Sequence, residues 1–169
     1  MFKYWLASFV FASLLAVDAQ AAGSIDTILA KAKSSCEAYD NGRFDAADSI
    51  QRIDLTGNGS PDDAIVDESK FLCSSARSLF CGSGGCQLHA VIGDQSWTFQ
   101  AEGWRLIDWD GRPVLLVMRD GGWCGGAGAQ VCYEAVAWSN GQMLTVMPQV
   151  KPAKKRDGPI GPSRAWTWL

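Results

Sequence analysis

Apolar residues recur along this chain with two different periods. Over residues 24–39, Ile25, Ile28, Leu29, Ala32 and Cys36 fall on one face at helical spacing. Ser24 sits where a capping hydroxyl is wanted, Asp26 suits the positive end of the helix dipole, and Asn41-Gly42 ends the run. The pattern predicts one helix that packs a single face on a sheet and carries no chemistry. Beyond it the apolar runs become short and strand-like. Residues 50–55 and 64–69 flank a polar turn, and runs at 88–92, 97–101, 105–109, 113–118, 131–138 and 142–147 follow. Gly93-Asp94, Asp110-Gly111 and Asn140-Gly141 punctuate them, and short strands separated by such turns predict an antiparallel meander. The expected fold is therefore α+β and mostly β: an N-terminal helix on an antiparallel meander sheet or small barrel. Residues 107–111 and 137–141 resemble each other only as two hairpins do, each an apolar strand ending in Trp and a tight turn.

The two ends of the chain break this pattern. Residues 1–21 read as a secretory signal peptide: Lys3 supplies the positive start, 5–17 an apolar stretch too short for a comfortable membrane span, and Ala19-Gln20-Ala21 a cleavage site. Residues 22–169 then form a single domain with no integral membrane segment. Losing Lys3 and Asp18 together leaves the net charge at −3, and such mild acidity argues against nucleic acid as a partner. Residues 151–162, rich in Pro, Gly and Lys, read as a solvated loop. The final Ala165-Trp166-Thr167-Trp168-Leu169 reads as a last strand or an aromatic patch for a partner.

The six cysteines, Cys36, Cys73, Cys81, Cys86, Cys124 and Cys132, all lie after the leader. An even count behind a signal peptide predicts disulfides, with fifteen pairings open. Locality favours Cys81–Cys86 and Cys124–Cys132, each closing a Gly-rich loop, which leaves Cys36–Cys73 to tie the helix to the chain beyond the polar turn. Zinc is disfavoured, because no C-x-x-C pair exists and His89 is the only histidine. His89 lacks a partner set for nucleophilic catalysis and reads as a packed or surface residue. The Gly-rich stretches 82–85 and 121–126 lack the Gly-Lys-Ser/Thr ending of a phosphate loop. Trp123, set among glycines, is a candidate binding anchor.

The most informative stretch is Asp54-Leu55-Thr56-Gly57-Asn58-Gly59-Ser60-Pro61-Asp62. Ca²⁺ takes roughly six to eight oxygen ligands. Asp54, Thr56 and Asn58 occupy loop positions 1, 3 and 5, Gly59 takes the sharp bend, Ser60 offers its carbonyl, and Asp62 follows at position 9. Ile65 stands where an EF-hand needs its bidentate Glu, so the pattern is not an EF-hand. The competing reading is a hairpin turn whose side chains bond only their own backbone. With a neutral Thr56, the expected Ca²⁺ affinity is weak, roughly 10⁻⁴–10⁻³ M.

These residues resemble the D-x-[DN]-x-[DN]-G-x-x-D loop of FG-GAP-type repeats, with Thr56 departing from the pattern. Together with Cys81-Gly82-Ser83-Gly84-Gly85-Cys86, the order of parts resembles a group of small uncharacterised exported proteins of Gram-negative bacteria. They carry a D-x-[NT]-G-[DN]-G-x-x-D loop followed by a C-G-S-G-G-C element. The resemblance runs from about Ile53 to Ile92, and on to Trp138 at its widest. It implies a periplasmic address and a Ca²⁺-type loop, and carries no activity with it.

Three functions compete. The first is a periplasmic or secreted binding or structural module, stabilised by calcium and directed at an envelope protein or glycan. The second is an inhibitor or immunity-type protein acting through the Cys81–Cys86 loop. The third is a hydrolase built on Asp62, Asp63, Asp67 and Glu68, whose carboxylates lie close in sequence. No nucleophile elbow, His triad or cofactor fingerprint supports the last, and the balance leans away from an enzyme.

Overall fold

A computed structural model describes residues 25–147. The leader, the Ser24 cap, the basic loop and the final aromatic run lie outside the described residues. The helix α1, Ile25–Ala38, buries Ile28, Ala32 and Cys36, the stripe that the helical spacing marks out. A two-residue strand β1, Phe44–Asp45, leads to β2, Ile50–Ile53, and β3, Asp63–Asp67, which pair antiparallel across the Asp54 loop. Asp67 turns the chain out of β3 by accepting a hydrogen bond from the Ser69 N–H at 2.9 Å, which starts a short 3₁₀ turn at Glu68–Lys70. Then come β4, Leu72–Cys73, paired with β1, and β5, Cys81–Gly82, a stub folded back on β6, Gly85–Ile92. These short pieces carry no period of two and were invisible to the hydrophobic pattern. The strands β7, Gln95–Ala101, β8, Gly103–Trp109, β9, Arg112–Arg119, β10, Cys132–Ser139, and β11, Gln142–Met147, complete the chain.

The strands make two main sheets rather than a closed barrel. One runs β2-β3-β6 with β5 and β7 both on β6, and the other is the meander β8-β9-β10-β11. Their facing sides enclose a core of Leu55, Ile65, Leu88, Leu115, Val117, Val136 and Met143, against which Trp97, Trp104 and Trp138 pack. Trp97 and Trp138 meet edge to face at 5.3 Å. A second core lies between α1 and the other side of the first sheet: Ile28 and Ala32 of the helix on Ala64, Val66 and Val91, with Phe71 beside them. β3 is therefore covered on both faces, which is why Ala64-Ile65-Val66 is apolar without alternation. Phe44, Phe71 and Phe80 form an edge-to-face cluster at the helix side.

Three disulfides staple this frame: Cys36–Cys73, Cys81–Cys86 and Cys124–Cys132. No helix among the described residues is long and apolar enough to cross a membrane. The strand registers give the sandwich two distinct ends. The Asp54 loop and the hairpins at 93–94, 110–111 and 140–141 share one. The Cys81–Cys86 and Cys124–Cys132 loops share the other.

Candidate functional site

At the first end, Asp54 organises the loop around its carboxylate. Oδ1 accepts from the Gly57 N–H at 2.6 Å, the Asn58 N–H at 3.2 Å and the Thr56 hydroxyl at 3.3 Å, and Oδ2 accepts from the Gly59 N–H at 2.7 Å. Gly57 and Gly59 stand at φ +78° and +84°, a region that glycine enters without strain. Gly57 is doubly constrained, because a Cβ there would sit 3.1 Å from Pro113 Cδ. Asn58 spans the loop: its Oδ1 accepts from the Ser60 N–H at 2.7 Å, and its Nδ2 donates to Asp62 Oδ1 at 3.3 Å. Partial desolvation is the largest influence on the Asp54 carboxyl and pushes its pKa up. The hydrogen bonds from Gly59, Gly57, Asn58 and Thr56 together outweigh it and hold the carboxyl below its ordinary value.

Asp63 holds the base of the loop and is absent from the five residues that the ligand pattern selects. Its carboxylate is buried, and Oδ2 accepts from the Leu55 N–H at 2.8 Å and the Thr56 N–H at 3.0 Å. The structure thus brings Asp54, Thr56, Asn58, Ser60 and Asp62 onto one turn. There the side chains of Asp54, Thr56, Asn58 and Asp62 bond one another and the loop's own backbone, as in the hairpin-turn reading. Among the described residues no three His, Cys, Asp or Glu side chains gather around one point. Asp54 Oδ1 thus takes three donors against its two lone pairs, and Oδ2 takes one.

Beside the loop opens a groove of about 760 Å³. Leu55, Thr56 and Gly57 form one wall at the end of the sandwich, and Trp109 and Val146 line it from the outer side. Its floor includes Val114, Leu116, Ala135 and Ala137, residues that the register places together on the outer face of the meander sheet. Trp109 is 63 % exposed and Val146 56 %, and Trp138, Arg112 and Ser139 line the same groove.

At the opposite end, Ser83 and Gly84 of one disulfide-closed loop share a second cleft with Gly128, Ala129 and Val131 of the other and with Asp120 before it. Trp123 is 51 % exposed there and lies under the Arg119 guanidinium, 4.6 Å from ring centre to Cζ. Arg119 itself is buried, donates to Glu134 through Nε at 2.8 Å and through Nη2, and reaches the Gln100 carbonyl of the other sheet through Nη1. Thr145 completes the set by donating to Glu134 Oε1 at 2.6 Å. This buried ion pair escaped the sequence reading, since fifteen residues separate its partners and only the β9–β10 register brings them together.

His89 is packed, in a third cleft beside α1. Nε2 is 2.8 Å from Glu68 Oε1 and Nδ1 is 2.9 Å from Thr98 Oγ1. The carboxylates of the hydrolase reading are likewise held by their own surroundings. Asp63 takes backbone N–H groups, Asp67 takes the Trp104 indole N–H at 3.1 Å, and Glu68 takes His89. Comparison with protein-family models, curated proteins and solved structures finds no match to this chain.

Proposed function

We propose that this chain is an exported, disulfide-bonded binding module of the bacterial envelope, whose ligand groove is the apolar channel beside the Asp54 loop. The observation that carries this reading is the exposed Trp109 at the rim of that channel, over a floor of Val114, Leu116 and Ala137. A tryptophan exposed beside an apolar channel is the kind of aromatic anchor that binding surfaces concentrate on. The partner is an envelope protein or glycan that lays an apolar or ring face on Trp109. In this reading residues 1–21 direct export and are removed, and the three disulfides close in the periplasm or outside the cell. Asp54, Thr56, Asn58, Ser60 and Asp62 hold a structural Ca²⁺ that stiffens the groove wall at Leu55–Gly57. The likeness to small exported proteins with the same loop and C-G-S-G-G-C element supports the address and the ion.

A second reading has one observation in its favour. Two disulfide-closed loops flank a single cleft at the far end, with Trp123 exposed beside it, the arrangement of an inhibitor that inserts a pinned loop into its target. The hydrolase alternative has less behind it, because Asp63, Asp67 and Glu68 are each engaged in holding the fold.

One experiment separates the first two. The chain from residue 22 is immobilised and offered envelope extract and cell-wall glycan, alongside Trp109→Ala and Trp123→Ala. Capture lost with Trp109→Ala alone supports the groove, whereas capture lost with Trp123→Ala alone moves the function to the disulfide end. Capture unchanged in both variants defeats both. The ion is tested separately by melting in EDTA and in excess Ca²⁺. At about 100 times the dissociation constant, binding adds about 2.7 kcal/mol and raises the midpoint by several degrees, and Asp54→Ala abolishes the rise.

A further inference from the structure

On the helix side of the first sheet, α1 packs over Ala64 and Val66 of β3 and Val91 of β6. The next strand, β7, changes character on that face. Its Trp97 and Phe99 pack on the core of the sandwich, so the alternate positions Ser96, Thr98 and Gln100 point to the helix side. All three are polar, and Thr98 and Gln100 are exposed. A cleft of about 460 Å³ opens here. Ile28 and Lys31 of α1 line it, with Ser96 and Thr98 of β7 and with Leu79 and Phe80 of the segment before β5.

Three side chains of this cleft form one run of hydrogen bonds. Thr98 stands directly opposite His89 in the β6–β7 register, and its Oγ1 is 2.9 Å from His89 Nδ1. His89 Nε2 is 2.8 Å from Glu68 Oε1, in the 3₁₀ turn after β3. The side chains of His89 and Glu68 are 8 % and 14 % exposed, whereas Thr98 opens to solvent. An ionised carboxylate only accepts, so Nε2 carries the ring proton in that pairing. Nδ1 is left with its lone pair, and the Thr98 hydroxyl donates to it. A buried base, held in one tautomer by a buried carboxylate and bonded to an exposed hydroxyl, is the arrangement that activates a hydroxyl as a nucleophile. The ring nitrogens are used in the opposite sense to the serine-protease triad, which alters the direction of approach and not the proton balance. Sequence distance hides the set, because Thr98 and Glu68 lie nine and twenty-one residues from His89.

We propose that Thr98, His89 and Glu68 form an acyl-transfer site that hydrolyses esters with a small apolar acyl group, with Thr98 as nucleophile, His89 as its base and Glu68 as positioning residue. Leu79, Phe80 and Ile28 supply the apolar surface for the acyl group. The site is independent of the Trp109 groove. It also differs from a hydrolase built on paired carboxylates: Glu68 never meets the substrate, and its bond to His89 is its role. In the first step the Thr98 oxygen bonds to the carbonyl carbon while its proton passes to His89 Nδ1, and Glu68 faces the imidazolium that results. Lys31, Gln87 and Ser96 line the same cleft and are the donors at hand for the carbonyl oxygen as charge develops on it. The intermediate collapses by breaking the bond to the leaving oxygen, which takes the proton from Nδ1 and departs as an alcohol. Water then attacks the acyl ester on Thr98 and gives a proton to Nδ1. The acid leaves as the Thr98 oxygen recovers that proton. Ester and water enter, acid and alcohol leave, and the three side chains return to their starting state.

The test offers p-nitrophenyl acetate and p-nitrophenyl hexanoate to the purified, oxidised protein and to Thr98→Val, Thr98→Ser, His89→Gln and Glu68→Gln, each checked for folding by its melting midpoint. The expected result is an acetyl group on the Thr98 peptide of acid-quenched protein, found by mass spectrometry. Hydrolysis falls by at least about 100-fold in Thr98→Val and His89→Gln and persists in Thr98→Ser. Glu68→Gln lowers kcat and leaves KM unchanged, a split that a merely structural role would not produce. Thr98→Val places a strand-forming residue at an exposed strand position, so it keeps the test open where the His89 variant does not fold. Undiminished hydrolysis in folded Thr98→Val would overturn the proposal. Acetyl groups found only on lysines, or no turnover above that of free imidazole, would overturn it equally. None of these outcomes bears on the Trp109 groove, whose own capture experiment stands apart.

Discussion

Two carboxylates in one loop have opposite roles. Asp54 is partly exposed and draws four donors around itself, whereas Asp63 is buried and accepts from two backbone N–H groups that have no other partner in the β2–β3 register. Asp63→Ala leaves the buried Leu55 N–H unsatisfied and costs about 1–3 kcal/mol, read by urea unfolding. Asp62→Ala, at an exposed site, costs little in the absence of Ca²⁺. The sign of the Asp54 effect is set by its lowered pKa. A carboxyl whose folded pKa lies below its unfolded one contributes stability above the unfolded value, near pH 4, and that contribution disappears as pH falls through the folded pKa. Asp54→Asn therefore flattens the acid limb of the stability curve below about pH 4 while leaving its shape near neutrality unchanged, as melting midpoints against pH will show.

At the scale of elements, the staples do unequal work. Cys36–Cys73 joins the helix to the strand after the loop across 37 residues, whereas Cys81–Cys86 spans only five. Loop-closure entropy gives about 4 kcal/mol for the first and about 2 kcal/mol for the second. Replacing both cysteines of each pair by serine and comparing denaturation midpoints checks the ranking. The hairpins that end β8 and β10 use Asp110-Gly111 and Asn140-Gly141 with both residues at positive φ, the backbone that twisted two-residue turns need. These turns, the helix and all eight of the longer strands were legible because a period or a turn dipeptide marks each of them locally. The ladder of β1 with β4 and the β5 stub were not. Two residues cannot display a period, and both owe their existence to partners brought in by the disulfides.

Across the whole molecule, Arg119 is the bolt between the two sheets. It stands on β9, pairs with Glu134 on β10, reaches the Gln100 carbonyl on β7 and covers Trp123 in the adjoining loop. Removing one partner of a buried pair strands the other charge, which costs about 3–5 kcal/mol. Arg119→Met is therefore expected to destabilise by that amount and to loosen the disulfide end. The double change Arg119→Met/Glu134→Leu should recover most of the loss, as denaturant unfolding of the three proteins will test. At this scale the candidate site was half legible. The five loop residues announce themselves by spacing, yet the groove they border does not, because its floor comes from β9 and β10 and its rim from the tip of β8.

By itself the sequence determined the class of fold, the positions of most turns, the locality that favours the three disulfide pairs, and the Asp54 loop. All of these depend on residues close together in the chain, where spacing and dihedral preference act directly. Tertiary structure alone decided that the strands split into two sheets, that Asp63 rather than Asp54 supports the base of the loop, and that Trp109 and Trp123 face solvent while Trp97, Trp104 and Trp138 fill the core. Those outcomes depend on strand register and on which face of a strand meets another layer. A change of one residue in register exchanges the two faces, and no local pattern of residues records which of them will be covered.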